Sequence, residues 1–473
     1  MPKNTSTFLF YDIETSGLNK CFDQVMQFAA IRTDLHFHEL ERHAFFVQLS
    51  IDTLPLPGAI LTHRISHKQS TQGITEYDAA QRIHYLVNQP NTISLGYNTL
   101  GFDDEFLRFT FFRHLLTPYT HQFANGCMRM DMLPITLLYH LFKPECLKWP
   151  NIDGKTSLKL EKISELNHLA EGPAHDAMVD VMATVELAKQ LAKDEKMWNY
   201  ACGYFNKETE LHRLDQLNVV HETSNRLFRE AILLHTKLGS DHHYMAPVLS
   251  LGQHLHYKNQ SLWLRLDDDR LRTLTPDTIQ SQSFVYHKKC AEQPLLIPTH
   301  ERFTKKISDE RWQQAQENKT WLLKQSSLLE QLCQYHQHYK YPEIDNVDAQ
   351  ASLYQCDFPN NHEKFQMQQF HLADPKQKSK LANHFSNPVY KILAQRMIAK
   401  YFQKFSSHED VDCFENYLQA IRQTDCQQNP RDYVGNRHVN PQDVLQEINR
   451  CRQENLNNEQ QSLLDELEKQ VNA

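Results

Sequence analysis

Two carboxylic acids separated by one residue end an apolar segment near the start of the chain. Asp12 and Glu14 close the run Phe8-Leu9-Phe10-Tyr11, which is typical of a buried strand. Strand side chains alternate faces with a period of two, so both carboxylates should point the same way. Like charges at short range raise each other's pKa, and a divalent cation offsets that repulsion. A metal site would explain this spacing, but because the turn-forming Thr15-Ser16-Gly17 follows, the pair alone is more typical of a solvated strand end, and a metal site requires further acids.

Two later segments supply further acids. Asp103 and Asp104 follow Phe102 in a pattern typical of a helix start, where acids also complement the helix dipole. Asp180 lies inside an apolar helical pattern that His175 precedes. Because an unpaired buried carboxylate is costly, Asp180 is expected to have a cationic partner.

Three segments together resemble the sequence blocks of the DEDDh exonuclease superfamily. In order along the chain they are Asp12-Ile13-Glu14-Thr15-Ser16-Gly17-Leu18, Tyr97-Asn98-Thr99-Leu100-Gly101-Phe102-Asp103 and His175-Asp176-Ala177-Met178-Val179-Asp180. The segment Asp345-Asn346-Val347-Asp348-Ala349-Gln350 and the overall length extend a weaker resemblance, to the bacterial exodeoxyribonucleases of that superfamily, over the remaining chain.

The resemblance implies a metal-dependent active site. Asp12, Glu14, Asp103 and Asp180 would hold two Mg²⁺ ions, for which Mn²⁺ may substitute, and His175 would be the general base. Hard oxygen ligands suit both cations, and an ordinary imidazole pKa near 6.5 suits a base that works at neutral pH. The resemblance favours Asp103 over Asp104 as the ligand and leaves Asp104 as a helix-dipole residue.

Several residues are predicted to contact the substrate strand. Residues of the turn after the acid pair meet the terminal nucleotide in the superfamily, and a basic residue near the third block can contact a phosphate. Arg108 and Tyr119 are further candidates to line the path of the strand. For Lys159 an ordinary solvated helix-face lysine remains an equal alternative. The predicted substrate-binding residues are Glu14, Thr15, Leu18, Lys159, Arg108 and Tyr119.

Composition sets limits on binding and location. The formal net charge is -8, so substrate attraction must come from a local basic and aromatic groove rather than from a diffuse positive field. The sequence has no run of eighteen apolar residues and no pattern of a secretory signal at its amino terminus. We therefore expect neither membrane insertion nor export. Ten cysteines without a Cys-x-x-Cys pair indicate reduced thiols and a cytoplasmic protein.

The chain of 473 residues is long enough for two or three domains. Alternating patterns predict an α/β domain with a mixed sheet over residues 1–195, with strands at 7–13, 25–33, 44–49 and 92–97 and a helix at 75–87. The resemblance implies that this is an exonuclease (ribonuclease H-like) domain. Strand patterns at 244–251 and 261–266 lie within a second domain, 196–344, for which the resemblance implies a small SH3-like β-barrel with helical additions. Residues 345–473 are predicted to form an all-helical C-terminal domain.

The resemblance implies a Mg²⁺-dependent 3′-to-5′ exonuclease that degrades single-stranded DNA to 5′-mononucleotides in DNA repair and recombination, and the resemblance and the additional chain length predict that it is processive. The resemblance also implies a single-stranded DNA-binding protein as partner, and a monomer is expected. Two alternatives remain open. One is a ribonuclease of the same superfamily that trims RNA 3′ ends, and the other is an inactive single-strand-binding module.

Overall fold

A computed structural model describes residues 6–172, 175–423 and 429–472. The strands are β1 (Thr7–Thr15), β2 (Val25–Thr33), β3 (Glu39–Phe46), β4 (Thr92–Leu95), β5 (Met128–Arg129), β6 (Asn151–Ile152), β7 (Lys155–Thr156), β8 (Val219–Thr223), β9 (Arg226–Leu234), β10 (Met245–Gln253), β11 (Gln260–Arg265), β12 (Val285–Lys289) and β13 (Leu295–Ile297). The helices are α1 (Pro57–His63), α2 (His67–Thr71), α3 (Glu76–Val87), α4 (Asp103–Arg113), α5 (Met132–Phe142), α6 (Leu160–Asn167), α7 (Ala177–Ala192), α8 (Glu195–Cys202), α9 (Lys207–Asp215), α10 (Ile279–Gln282), α11 (Glu301–Thr304), α12 (Asp309–Lys324), α13 (Ser326–His338), α14 (Asn361–Leu372), α15 (Pro375–Ala382), α16 (Pro388–Tyr401), α17 (His408–Arg422), α18 (Pro441–Cys451) and α19 (Asn458–Val471). Of the helices in these ranges, none is both long enough and apolar enough to cross a membrane.

The first sheet is mixed and has the strand order β3-β2-β1-β4-β5. Its central strand β1 runs antiparallel to β2 and parallel to β4. The successive residues Leu9 and Phe10 point to opposite faces of the sheet and are both fully buried, so both faces of β1 are covered here, which explains the continuous apolar run in the sequence. The predicted mixed sheet is confirmed, and Asp12 and Glu14 lie in the last part of its central strand.

The two faces of β1 have different neighbours. Alternate residues Leu9, Tyr11 and Ile13 share one apolar core with residues of α3 and α4. The period of two therefore directs Asp12 and Glu14 to the other face of the sheet.

The third strand differs from the sequence prediction. It was expected at residues 44–49, but β3 spans Glu39–Phe46. It lies at the edge of the sheet, where one face is exposed, so charged residues such as Glu39 and Glu41 occupy strand positions that an apolar pattern does not reveal.

The chain forms two compact units. Unit 1 contains Met1–Arg129, Ala170–Val185 and Glu343–Ala473, and unit 2 contains Met130–Leu169 and Glu186–Pro342. Helices α14 to α19 thus belong to the same unit as the mixed sheet. This division differs from the predicted three ranges, whose boundaries at 195 and 344 stay predictions.

Unit 2 contains an antiparallel sheet with the strand order β12-β11-β10-β9-β13, in which β8 also pairs with β9. The predicted strands at 244–251 and 261–266 correspond to β10 and β11. That this sheet is an SH3-like barrel stays a prediction.

Candidate active site

The strand β1 supplies the first acid pair. Asp12 lies opposite Ala29 and Glu14 opposite Gln27 in the pairing with β2, after which the register shifts at Thr15. Regular pairing therefore holds both acids on one face and ends directly after Glu14. Both side chains are partly buried.

Helix α4 supplies the third acid. Asp103 is its first residue, is 5% exposed, and its Oδ1 accepts a hydrogen bond from the backbone N–H of Ile13 at 3.2 Å. Since Ile13 stands between Asp12 and Glu14, this bond ties the start of α4 to the strand between the first two acids.

Helix α7 supplies the fourth acid and follows the imidazole. The Asp176 carboxylate accepts hydrogen bonds from the backbone N–H groups of Met178 (2.9 Å) and Val179 (3.3 Å), which caps the helix start. His175, just before this cap, is exposed and has φ 62. A non-glycine residue in this left-handed region is uncommon and often occurs at functional sites.

Distant parts of the sequence converge at this point. One side-chain ligand atom each from Glu14, His175 and Asp180 lie within 4.8 Å of one another. Partial burial raises the pKa of Asp12 well above its ordinary value, and the carboxylates of Asp103, Glu14 and Asp180 raise it further. All five predicted catalytic residues therefore lie in one region of unit 1.

The electrostatics of this region fit a divalent cation. Burial together with Asp180, Asp103 and Asp176 raises the pKa of Glu14 to about 9. Carboxylates that repel one another in this way gain an opposing charge when a hard cation binds, and oxygen donors are the ligands that Mg²⁺ and Mn²⁺ prefer. The donor set therefore fits the metal that the sequence predicted.

The turn after β1 presents the next predicted residues. Thr15 is buried, and its Oγ1 donates to the carbonyl of Gly17 at 2.8 Å. Leu18 is 78% exposed at the tip of the turn. An exposed leucine beside an acidic site is a suitable surface for a nucleotide base.

Asp104 was predicted to be a helix-dipole residue, but the structure gives it a different role. It is fully buried and forms ion pairs with Arg108, with Arg129 (2.6 Å) and with His121 (2.7 Å). Burial alone would raise the pKa of Asp104, but the guanidinium groups of Arg108 and Arg129, together with the hydrogen bond from His121, hold it well below its usual range. The guanidinium of Arg108 also lies over the ring of Tyr119, 5.6 Å from its centre. Arg108 and Tyr119 thus belong to one cluster close to Asp103 in the chain, and their contact with substrate stays a prediction.

Lys159 lies in unit 2, where it is the residue before α6 and is exposed. Its predicted contact with a phosphate is likewise untested.

Sequence reasoning overlooked Asp176 as a member of the acidic group. It raises the pKa values of both Asp12 and Glu14. The signal that could have identified it is its position as an acid at a predicted helix start, four residues before Asp180.

The comparisons with known proteins find similarity to exonucleases. The family model RNase_T, described as Exonuclease, matches residues 9–188. The chain is also similar to bacterial exodeoxyribonuclease I. The protein of that name from Buchnera aphidicola subsp. Schizaphis graminum is 29% identical over 437 residues, which is 88% of this chain and 88% of the relative.

Two other comparisons agree. Exodeoxyribonuclease I from Buchnera aphidicola subsp. Acyrthosiphon pisum is 33% identical over 275 residues, 58% of this chain, and the match spans 64% of the relative's length, less than two thirds. A crystal structure of Escherichia coli exonuclease I in complex with a dA16 oligonucleotide superimposes with a TM-score of 0.84 over 99% of both chains at 24% identity. At that identity the structural likeness shows the fold alone.

Proposed function

We propose that this protein is a divalent-metal-dependent 3′-to-5′ exonuclease that degrades single-stranded DNA to 5′-mononucleotides. The observation that carries the proposal is the convergence of Asp12, Glu14, Asp103, Asp180 and His175 in the segment that matches the exonuclease family model. An inactive binding module has no need to keep mutually repelling carboxylates. Relatives named exodeoxyribonuclease I support DNA rather than RNA as the substrate.

The four carboxylates would hold two Mg²⁺ ions, or Mn²⁺ in their place. When bound, such ions activate the attacking water and offset charge on the phosphate oxygens in the transition state. The residues of the chain fix this geometry, because the strand pairing of β1 and the bond from Ile13 to Asp103 hold the acids before substrate arrives.

His175 is the general base of the proposal. A nitrogen of its exposed ring lies within 4.8 Å of carboxylate oxygens of Glu14 and Asp180, so it can accept a proton from water at the site and release it to solvent. Thr15 and Leu18 would hold the free 3′ end, while Lys159, Arg108 and Tyr119 would line the path of the strand.

The remaining chain would extend the hold on the strand. We assign residues 196–344 to an SH3-like barrel domain and residues 345–473 to a helical domain that together make hydrolysis processive. A single-stranded DNA-binding protein as partner, a monomeric state, a cytoplasmic location and a role in DNA repair and recombination complete the proposal.

The decisive experiment is a denaturing-gel assay of single-stranded DNA labelled at either end, with matched RNA and duplex DNA as controls. With Mg²⁺ we expect mononucleotides from 3′-labelled DNA and a shrinking ladder from 5′-labelled DNA, and a chelator should stop both. Preferential loss of RNA would indicate the trimming ribonuclease instead, and strand binding without any product would indicate the inactive module.

The base assignment has its own test. We expect His175→Ala to lower the single-turnover rate about 10²-fold or more at saturating Mg²⁺, because general-base catalysis contributes roughly 10² to 10⁴. Since alanine is strained at φ 62, His175→Asn is the matched variant, as asparagine tolerates that backbone conformation. An unchanged rate in His175→Asn would exclude His175 as the base.

A further inference from the structure

A loop near the end of the chain contacts the active-site elements. Residues 429–440, here named the C-terminal loop, lead into α18 and belong to unit 1. Asp432 is only 3% exposed, and its carboxylate organises the loop. Its Oδ1 accepts the backbone N–H groups of Val434 and Asn436, both at 2.9 Å, and its Oδ2 accepts the Asn436 side-chain amide at 3.0 Å.

The same carboxylate reaches the turn that follows the first acid pair. Asn19 Nδ2 donates to Asp432 Oδ2 at 3.0 Å. The other end of the Asn19 amide is also engaged, because its Oδ1 accepts the backbone N–H of Cys21 at 3.0 Å. Asn19 therefore links the turn, directly after Leu18, to a buried carboxylate more than 400 residues away in the chain.

The next residue of the loop contacts the helix that begins with Asp103. The ring of Tyr433 stacks on Phe109 of α4 with centroids 5.6 Å apart and planes at 7°. It also meets the edge of Tyr354 at 4.9 Å. Two adjacent residues of the C-terminal loop thus touch the turn after Asp12 and Glu14 and the helix that supplies Asp103.

We propose that Asp432 is a positioning residue that holds the turn around Leu18 for the 3′-terminal nucleotide. This inference rests on the proposed function. Asp12 and Glu14 are fixed by the regular pairing of β1, which ends at Glu14. The turn lies beyond the register shift and is supported by the C-terminal loop. Loss of the Asn19–Asp432 bond should therefore weaken strand binding more than it slows bond cleavage.

The test exchanges the two polar groups. Asn19→Asp keeps the acceptor for the Cys21 N–H but sets a second carboxylate against Asp432. We expect a rise in KM of about tenfold for a 3′-hydroxyl oligonucleotide and a change in kcat of less than about threefold, since like charges in close contact repel.

Asp432→Asn should behave similarly, because two amide groups would then face each other. The double variant Asn19→Asp with Asp432→Asn restores one donor and one acceptor, and its KM should return to within about threefold of the original value.

The matched control is Asn436→Ala, which removes a different donor to the same carboxylate oxygen and should leave KM within about twofold. A lower unfolding temperature with unchanged KM in Asn19→Asp, or a double variant no better than the single ones, would overturn the inference. For every variant, oligonucleotide binding is also measured by fluorescence anisotropy in the presence of a chelator. If the unaltered protein binds the strand but releases no nucleotides with Mg²⁺, the proposed function fails while the binding constants still decide the role of Asp432.

Discussion

Two adjacent acids at the start of α4 lie in opposite electrostatic settings. Asp103 faces other carboxylates, whereas Asp104 is surrounded by Arg108, Arg129 and His121. Asp104→Asn would leave buried cations without their counter-charge, and we expect a loss of about 3–5 kcal/mol in the free energy of unfolding. Urea unfolding monitored by circular dichroism measures this loss.

Asp103→Asn is the matched change one residue earlier. The asparagine carbonyl can still accept the Ile13 N–H, and repulsion with Asp12 falls, so the metal-free protein should be no less stable. The rate with Mg²⁺ should nevertheless fall by at least about 10²-fold, because a carboxylate that would hold the metal ion is lost, and with it part of the stabilisation that the ion gives the transition state. If the two variants exchanged these effects, the choice of Asp103 as ligand would be wrong.

A buried glutamate gives unit 1 a defined dependence on pH. Burial would raise the pKa of Glu76, but Arg113 at 2.5 Å, with His114 and Lys400, lowers it to about 2. A depressed carboxyl pKa stabilises the folded state above the ordinary value of 4.5, and this contribution is lost as the pH falls through about 2. Glu76→Gln should therefore cost about 3–5 kcal/mol near pH 7.

The difference in the free energy of unfolding between the original protein and Glu76→Gln should be nearly the same at pH 7 and pH 5, and it should shrink at pH 3, between the two pKa values of Glu76. A difference that stays constant over this range would show that Glu76 contributes through packing rather than through its charge.

At the scale of elements, the turn after β1 is compact because one of its residues lacks a side chain. A Cβ on Gly17 would overlap the carboxylate of Asp23, which accepts hydrogen bonds from Ser16 Oγ (2.9 Å) and the Asn19 N–H (2.8 Å). Gly17→Ala should displace the turn, cost about 1–3 kcal/mol of stability through overpacking, and raise the KM for single-stranded DNA. Gly58→Ala in α1, where the nearest atom is 3.4 Å away, is the control and should leave KM unchanged.

How far the sequence predicted these elements depends on burial. Strand β2 has its predicted bounds because all of its residues are buried and the apolar run coincides with the strand. The edge strand β3 was misplaced because exposed charged residues carry no apolar pattern. At the site, residues close in the chain, such as Asp12 and Glu14, were found from their spacing. The ion pairs of Asp104 and the bond from Asn19 to Asp432 join parts of the chain that no local pattern connects.

At the scale of the whole molecule, unit 1 is built from segments far apart in the chain. Phe109 and Phe112 of α4 share one apolar core with residues that follow 343, among them Phe370, Tyr390 and Leu393, all at most 5% exposed. The helices of the C-terminal region therefore complete the core beneath the helix that begins with Asp103. This arrangement explains why a boundary near 195, drawn from local patterns, does not coincide with the compact unit.

A chain truncated to residues 1–195 should consequently be unstable. Each fully buried side chain of this kind contributes about 1.5–3 kcal/mol to the free energy of unfolding. Exposure of several of them therefore removes as much free energy as the whole stability of a typical domain, about 5–15 kcal/mol. We expect the truncated chain to bind a hydrophobic dye, to unfold at lower urea concentration and to lack metal-dependent nuclease activity. Residues 343–473 added as a separate chain should restore part of the activity. A truncated chain with the full chain's urea midpoint and nuclease rate would show instead that residues 1–195 carry a complete core of their own.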